Sequence, residues 1–160
     1  MSGALANGSL CAIWIAREAG GAMTHLDTAH LVAGRGIEGD RYFDRAGTFS
    51  PDGPSPDHEL TLVAQEEVTR FLDATKLEIS AGDLRRNLLT EGVDLNAWVG
   101  KRFRIADVEL EGIRLCEPCG TLADQVGQEV LKGLVHRAGL RARVVSDGRI
   151  RVGDRITAID

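Results

Sequence analysis

Hydrophobic positions along this chain fall mostly into short runs and two-residue alternations, with helical spacing in two places. Ser9–Ala16 (SLCAIWIA) is apolar and partly β-branched or aromatic, bounded by Gly8 and by Gly20-Gly21, and predicts a buried strand. Ala29–Val32 predicts a second strand, and Leu60–Val63 a third short one. Gln65–Ala74 follows as a helix with Val68, Phe71 and Leu72 on one face. Around Leu84, Leu88 and Leu89 the spacing fits a helical turn, but Leu88-Leu89-Thr90 equally fits the start of an extended segment. From Trp98 onward the pattern alternates: Gly100–Ile105, Val108–Glu111 and Gly112–Leu115 predict strands separated by Gly and Asp turns, with Arg104 and Arg114 outward unless they serve a site.

Leu122, Val126, Val130 and Leu134 then recur every four residues, joined by Leu131 and Val135. That stripe predicts one core-facing helix over about Leu122–Arg137, with His136 and Arg137 at its negative end and Gly139 as its stop. Leu140–Val145 and Arg149–Val152 flank Ser146-Asp147-Gly148, a hairpin signal, and Arg155–Ile159 closes the chain. Phe43–His58, with Gly47, Gly53, Pro51, Pro54 and Pro56, predicts an exposed loop, a lid over a site or a disordered stretch. So many short strands predict a mainly β protein with some α, folded as a barrel or a strongly curled sheet.

Composition narrows this picture. A chain of 160 residues suits one domain, 1–160, with a real core; 43% hydrophobic and 27% charged content is ordinary for a globular protein. The net charge of −5 gives no broad electrostatic reason to bind nucleic acid or anionic membranes. Among 19 basic residues only Lys76, Lys101 and Lys132 are lysines, and arginine is the better fork for phosphate and carboxylate, although a GC-rich genome produces the same bias. The first residues lack a basic n-region, and the apolar run Leu10–Ala16 is too short to span a bilayer. An odd count of three cysteines fits no secreted disulfide framework, so a cytoplasmic protein with reduced thiols is expected.

Chemistry concentrates at Leu115-Cys116-Glu117-Pro118-Cys119-Gly120-Thr121. A thiol just before a helix faces unpaired backbone N–H groups and the positive end of the dipole, which favour the thiolate. Cys119 is therefore the first candidate nucleophile or soft-metal ligand, with Thr121 as the expected N-cap; Cys116, still in the strand run, is expected to be more buried and slower to react. Two packed core cysteines are the alternative, since free cysteine is among the most buried residue types. Glu117 opposes thiolate formation unless a cation offsets it.

The second polar concentration, Gly34-Arg35-Gly36-Ile37-Glu38-Gly39-Asp40-Arg41-Tyr42, spaces its glycines for positive φ or close ligand approach. It has no Gly-Lys-Ser/Thr ending and no strand–loop–helix frame, so it is neither a P-loop nor a dinucleotide fingerprint. Asp40 and Arg41 form a turn salt bridge, or Arg35 and Arg41 face an anion while Asp40 orients one of them. In Gly82–Leu88, adjacent Arg85 and Arg86 point to different faces, so at most one is expected in a shared pocket. His25, His30, His58 and His136 are scattered away from the cysteines, which leaves a zinc site unsupported; an iron–sulfur cluster lacks its fourth cysteine, and no Gly-x-Ser-x-Gly elbow is present.

Taken together, Gly36–Arg41, then Arg86-Asn87-Leu88 with Gly92-Val93-Asp94-Leu95, then Gly100 ahead of a hairpin, Glu117-Pro118-Cys119, and Gly148–Asp154 carry a resemblance over nearly the whole chain. In order and spacing they resemble a MOSC domain, the module at the C-terminus of molybdenum-cofactor sulfurases. The resemblance implies a closed β barrel with two or three helices, and a working cysteine at Cys119 as sulfur carrier or molybdenum ligand. It implies molybdenum cofactor (molybdopterin) in a pocket lined by Cys119, Asp40, Arg41, Arg86 and Asn87, with Arg35, Arg41 or Arg86 on the anionic phosphate. The implied activity is sulfur transfer or molybdenum-dependent reduction of N-hydroxylated compounds, with a cysteine desulfurase or an electron-donor protein as partner. The desulfurase domain is absent, so no pyridoxal phosphate is expected in this chain. The alternative is a persulfide carrier, or a thiol- or metal-binding β domain without cofactor.

Overall fold

The computed structural model describes residues 7–43 and 58–159, so the loop expected over Phe43–His58 lies, apart from its two ends, outside the described residues. In chain order the strands are β1 (Asn7–Ile15), β2 (Thr24–Leu26), β3 (Thr28–Val32), β4 (Gly36–Ile37), β5 (Leu60–Ala64), β6 (Leu88–Glu91), β7 (Arg102–Ile105), β8 (Val108–Leu115), β9 (Leu140–Val144), β10 (Gly148–Arg151) and β11 (Arg155–Ala158). The helices are α1 (Gln65–Thr75), α2 (Gly120–Val126) and α3 (Glu129–Gly133), with 3-10 turns at Ala81–Leu84 and Leu95–Trp98.

Seven strands close into a barrel in the order β11-β7-β8-β9-β5-β6-β1, sealed by β1 against β11 through Asn7↔Thr157, Gly8↔Ile156 and Ser9↔Arg155. Closure removes exposed sheet edges, which is the gain for a fold made of such short strands. β5 and β6 run parallel, and a parallel pair needs a crossover, here α1 and the first 3-10 turn. β2 extends the barrel sheet from β1, and β10-β3-β4 form a separate small sheet. Leu10, Ile13, Leu62, Leu88, Phe103, Ile105, Leu110, Leu140 and Ala142 fill one cluster. A second cluster, with Ala12, Val63, Val68, Phe71, Leu84, Leu122, Val130 and Leu134, lies between the barrel wall and the helices. β5 is buried along its whole length because it serves both layers, which is why its sequence reads as one apolar run.

Three expectations change. Ser146-Asp147-Gly148 does not close a hairpin: β9 pairs with β8 and β5, while β10 crosses to β3. The crossing is held by Asp147 Oδ1, which accepts the Ala33 N–H at 2.7 Å, and by the Gly34 N–H on the Val144 carbonyl at 3.2 Å. The stripe from Leu122 is split, because Gly127 at φ 128° and ψ 149° is far from helical geometry. Leu122, Val130 and Leu134 still reach the core, whereas Leu131 and Val135 are exposed. Helix α2 begins at Gly120 with Cys119, and not Thr121, in the N-cap position.

The glycine series before Asp40 is explained by the chain itself. Gly36 has φ 103°, and a Cβ there would lie 2.4 Å from the Glu59 carbonyl oxygen, so the close approach is to a neighbouring backbone. Glu59, from that neighbouring backbone, is buried and accepts the Val144 N–H at 2.8 Å. Burial pushes its pKa up, against the opposing effects of that hydrogen bond and of Arg143. A carboxyl that holds its proton more tightly when folded stabilises most below its unfolded pKa, about 4.3, and loses that contribution as pH rises through the folded value. Glu59→Gln keeps the acceptor and removes the charge; it should raise the melting temperature by a few degrees at pH 7 and by less at pH 4. Thermal melts at the two pH values check this, and equal melts at pH 7 would refute it. Among the described residues no helix is long and apolar enough to cross a membrane.

Candidate functional site

Asp40 is fully buried and acts as a hub beside the barrel wall. Its Oδ1 accepts the Ala16 N–H at 3.0 Å, Arg41 Nη1 at 3.0 Å and Asn87 Nδ2 at 3.3 Å, while Oδ2 accepts the Tyr42 N–H at 3.2 Å. Asn87 is equally committed. Its Oδ1 accepts the Thr61 N–H at 3.0 Å, and its amide donates to the Trp14 carbonyl at 3.0 Å, tying the end of β1 and the start of β5 to the residue that leads into β6. Two residues expected to touch a ligand are thus used in fixing the frame. What they present is Arg41, 7% exposed at its side chain, with its guanidinium 4.8 Å from the Tyr42 ring centroid.

Arg86 pins the cysteine segment. Its Nε donates to the Ala138 carbonyl at 2.8 Å, Nη1 to Leu84 at 3.3 Å, and Nη2 to the carbonyls of Cys116 at 3.3 Å and Glu117 at 3.4 Å. The Cys116 N–H bonds the Gly139 carbonyl at 2.8 Å, so the strand end and the start of α2 are held from both sides. Cys116 is 2% exposed, as expected from its place in the strand run, and Cys119 is half-buried. Glu117 is turned away onto His136: Oε1 accepts its backbone N–H at 2.6 Å and Oε2 lies 2.6 Å from its Nδ1. Burial acts to raise the Glu117 pKa, but the His136 bonds and the charges of His136 and Arg86 outweigh it and hold the group below its ordinary value. The carboxylate next to the thiol is therefore turned onto His136, with the charge of Arg86 near it.

Arg41, Arg85, Arg86 and Arg141 line one cleft with Cys116, Glu117 and Cys119, on the outside of the barrel at the rim of the helix layer. Its volume is about 70 Å³, room for a small oxyanion or a couple of sulfur atoms. Through Gly20, Arg85 and Gln125 it continues into a neighbouring cleft of about 530 Å³ lined by Trp14, Met23 and Ile79. Arg35 stays outside, exposed and stacked 3.9 Å over Phe43, whose carbonyl accepts its Nη2 at 3.2 Å. Among the described residues no group of three or more His, Cys, Asp or Glu is arranged to hold a metal ion.

Two cleft residues were not anticipated. Arg85 and Arg86 both enter, contrary to the expectation that at most one would. Arg85 ends the 3-10 turn at φ 64° and ψ 26°, a left-handed conformation in which strand or helix alternation no longer governs direction. Burial, then the charge of Arg41, lowers the Arg85 pKa. Its Nη1 donates to the Gly21 carbonyl at 2.6 Å, and its buried Nη2 has no hydrogen-bond partner. Arg141 sits in β9 opposite Thr61 and Arg114; it alternates with Leu140 and Ala142 of the barrel interior, is 7% exposed, and lines the cleft with the cysteine segment. In sequence it resembles any outward strand arginine.

The sequence profile of the MOSC domain family matches residues 45–157, starting just beyond Asp40 and Arg41. Among curated proteins none matches this chain. Among solved structures, the YuaD protein from Bacillus subtilis is similar with a TM-score of 0.78 at 19% identity, covering 95% of each chain. YiiM from Escherichia coli is similar with a TM-score of 0.68 at 15% identity, covering 95% of this chain and 70% of its own. YiiM from Geobacillus stearothermophilus gives 0.66 at 12% identity, covering 98% and 74%. At such identities the likeness carries the fold, which is the same closed barrel. With the profile spanning most of its length, this chain belongs to the MOSC domain family.

Proposed function

We propose that this protein binds molybdenum cofactor and uses Cys119 for sulfur transfer or molybdenum-dependent reduction. The observation that supports this reading is the half-buried thiol in a cleft walled by Arg41, Arg85, Arg86 and Arg141. The cofactor would bring a soft, sulfur-rich metal centre and an anionic phosphate. The donor set fits both ends: a thiolate suits the metal, and guanidinium forks suit a phosphate. The small cleft has room for the reacting atoms only, and the neighbouring cleft of about 530 Å³ provides the rest. Asp40 orients Arg41, Asn87 fixes the wall behind it, and Arg86 fixes the height of the cysteine segment. A cysteine desulfurase would supply sulfur in one version, and an electron-donor protein reducing equivalents in the other.

Protein purified from cells that make the cofactor should contain molybdenum and give pterin fluorescence in near-equal amounts. Protein lacking both, and unable to take up added cofactor, would refute the proposal. The second reading, a persulfide carrier without cofactor, then stands, and it is favoured by the small volume of about 70 Å³ beside Cys119.

A further inference from the structure

Four guanidinium groups line the cleft, and one of them keeps a buried donor unused. Arg41 has Asp40 as its counter-ion, and Arg86 is oriented by four backbone carbonyls with the Glu117 carboxylate close enough to feel its charge. Arg85 donates to one carbonyl, and its Nη2 is buried without a hydrogen-bond partner. Arg141, 7% exposed, lines the same space, and Glu117, the cleft's carboxylate, is paired with His136. A buried guanidinium N–H without a partner, set among further guanidinium groups, is a charge-assisted donor that an anion satisfies. The cleft's volume of about 70 Å³ has room for a tetrahedral oxyanion, and Cys119 lines it.

Resting on the reading of Cys119 as the working thiol, we infer that the cleft takes thiosulfate, a small dianion with a terminal sulfane sulfur on a sulfonate, and transfers that sulfur to Cys119. The guanidinium groups bind the sulfonate oxygens. The Cys119 thiolate attacks the sulfane sulfur, forming a Sγ–S bond, while the sulfur–sulfur bond of thiosulfate breaks and sulfite leaves with its electron pair. Charge is the same on both sides, no external oxidant or reductant is consumed, and Cys119 is left as a persulfide. The arginines aid departure because charge grows on the sulfite oxygens they hold. The chain thereby charges its own cysteine from a free anion.

The test incubates the purified full chain with thiosulfate, removes the excess, and measures sulfite release and the mass of each cysteine peptide. The expected result is one added sulfur atom on Cys119 with matching sulfite, and neither in Cys119→Ser. Sulfate should compete with thiosulfate while leaving the reaction of Cys119 with an uncharged disulfide reagent unchanged. In Arg85→Gln the ratio of the thiosulfate rate to the uncharged-disulfide rate should fall roughly tenfold or more, the value of one charge-assisted contact. An unchanged ratio, absence of competition by sulfate, or sulfur found on Cys116 or Cys11 overturns the inference. Loading of Cys119 by inorganic polysulfide but not by thiosulfate also overturns it, and leaves the proposed function standing. Failure with both donors removes the inference together with the working thiol.

Discussion

Cys119→Ser is expected to lose persulfide loading and molybdenum retention entirely, while Cys116→Ser keeps a large part of both. The two thiols are separated by three positions and yet differ in their surroundings. Cys119 is half-buried at the start of α2 and lines the cleft with the arginines. Cys116 is 2% exposed, and its backbone is held by Gly139 and Arg86. Reaction needs access as well as nucleophilicity, so alkylation followed by mass spectrometry should label Cys119 first. Serine at 116 places a hydroxyl in a packed wall, a cost of about 1–3 kcal/mol if unpaired, which lowers stability more than chemistry. Full loading in Cys119→Ser, or first labelling at Cys116, would refute the assignment.

Asp40→Ala is expected to be the most destabilising single change at the site, by about 3–5 kcal/mol, because it strands a buried arginine. It also orphans the N–H groups of Ala16 and Tyr42 and one donor of Asn87. Asp40→Asn retains an acceptor oxygen but not the charge facing Arg41, so a smaller loss of about 1–3 kcal/mol is expected. Urea denaturation of the three proteins measures this, with the midpoint falling and the slope unchanged. A loss under about 1 kcal/mol in the alanine variant would show that the hub is dispensable.

These residues show what kind of information a sequence carries. Asp40-Arg41 and Arg86-Asn87, distant in the chain, are brought together, and their motif spacing had already set them apart from the other polar residues. The direct roles differ from the expected ones: Asn87 and Asp40 spend their polar groups on the frame, and Arg35 turns onto Phe43. Arg85 was not expected in the cleft together with Arg86, because a left-handed φ at a non-glycine residue leaves no mark in the sequence pattern. Arg141 was not expected there because outward strand arginines look alike until something covers one of them.

By itself the sequence determined the short strands, helix α1 and the contrast between Cys116 and Cys119, since alternation, helical spacing and distance from a strand end are local properties of the chain. Only the tertiary structure decided that β10 leaves β9 for β3, that Gly127 divides the apolar stripe, and that four arginines line one cleft with Cys119. Those outcomes depend on which strands become neighbours when the barrel closes and on which outer faces the helices cover. Both are set by burial summed over residues far apart in the chain, which no local pattern records.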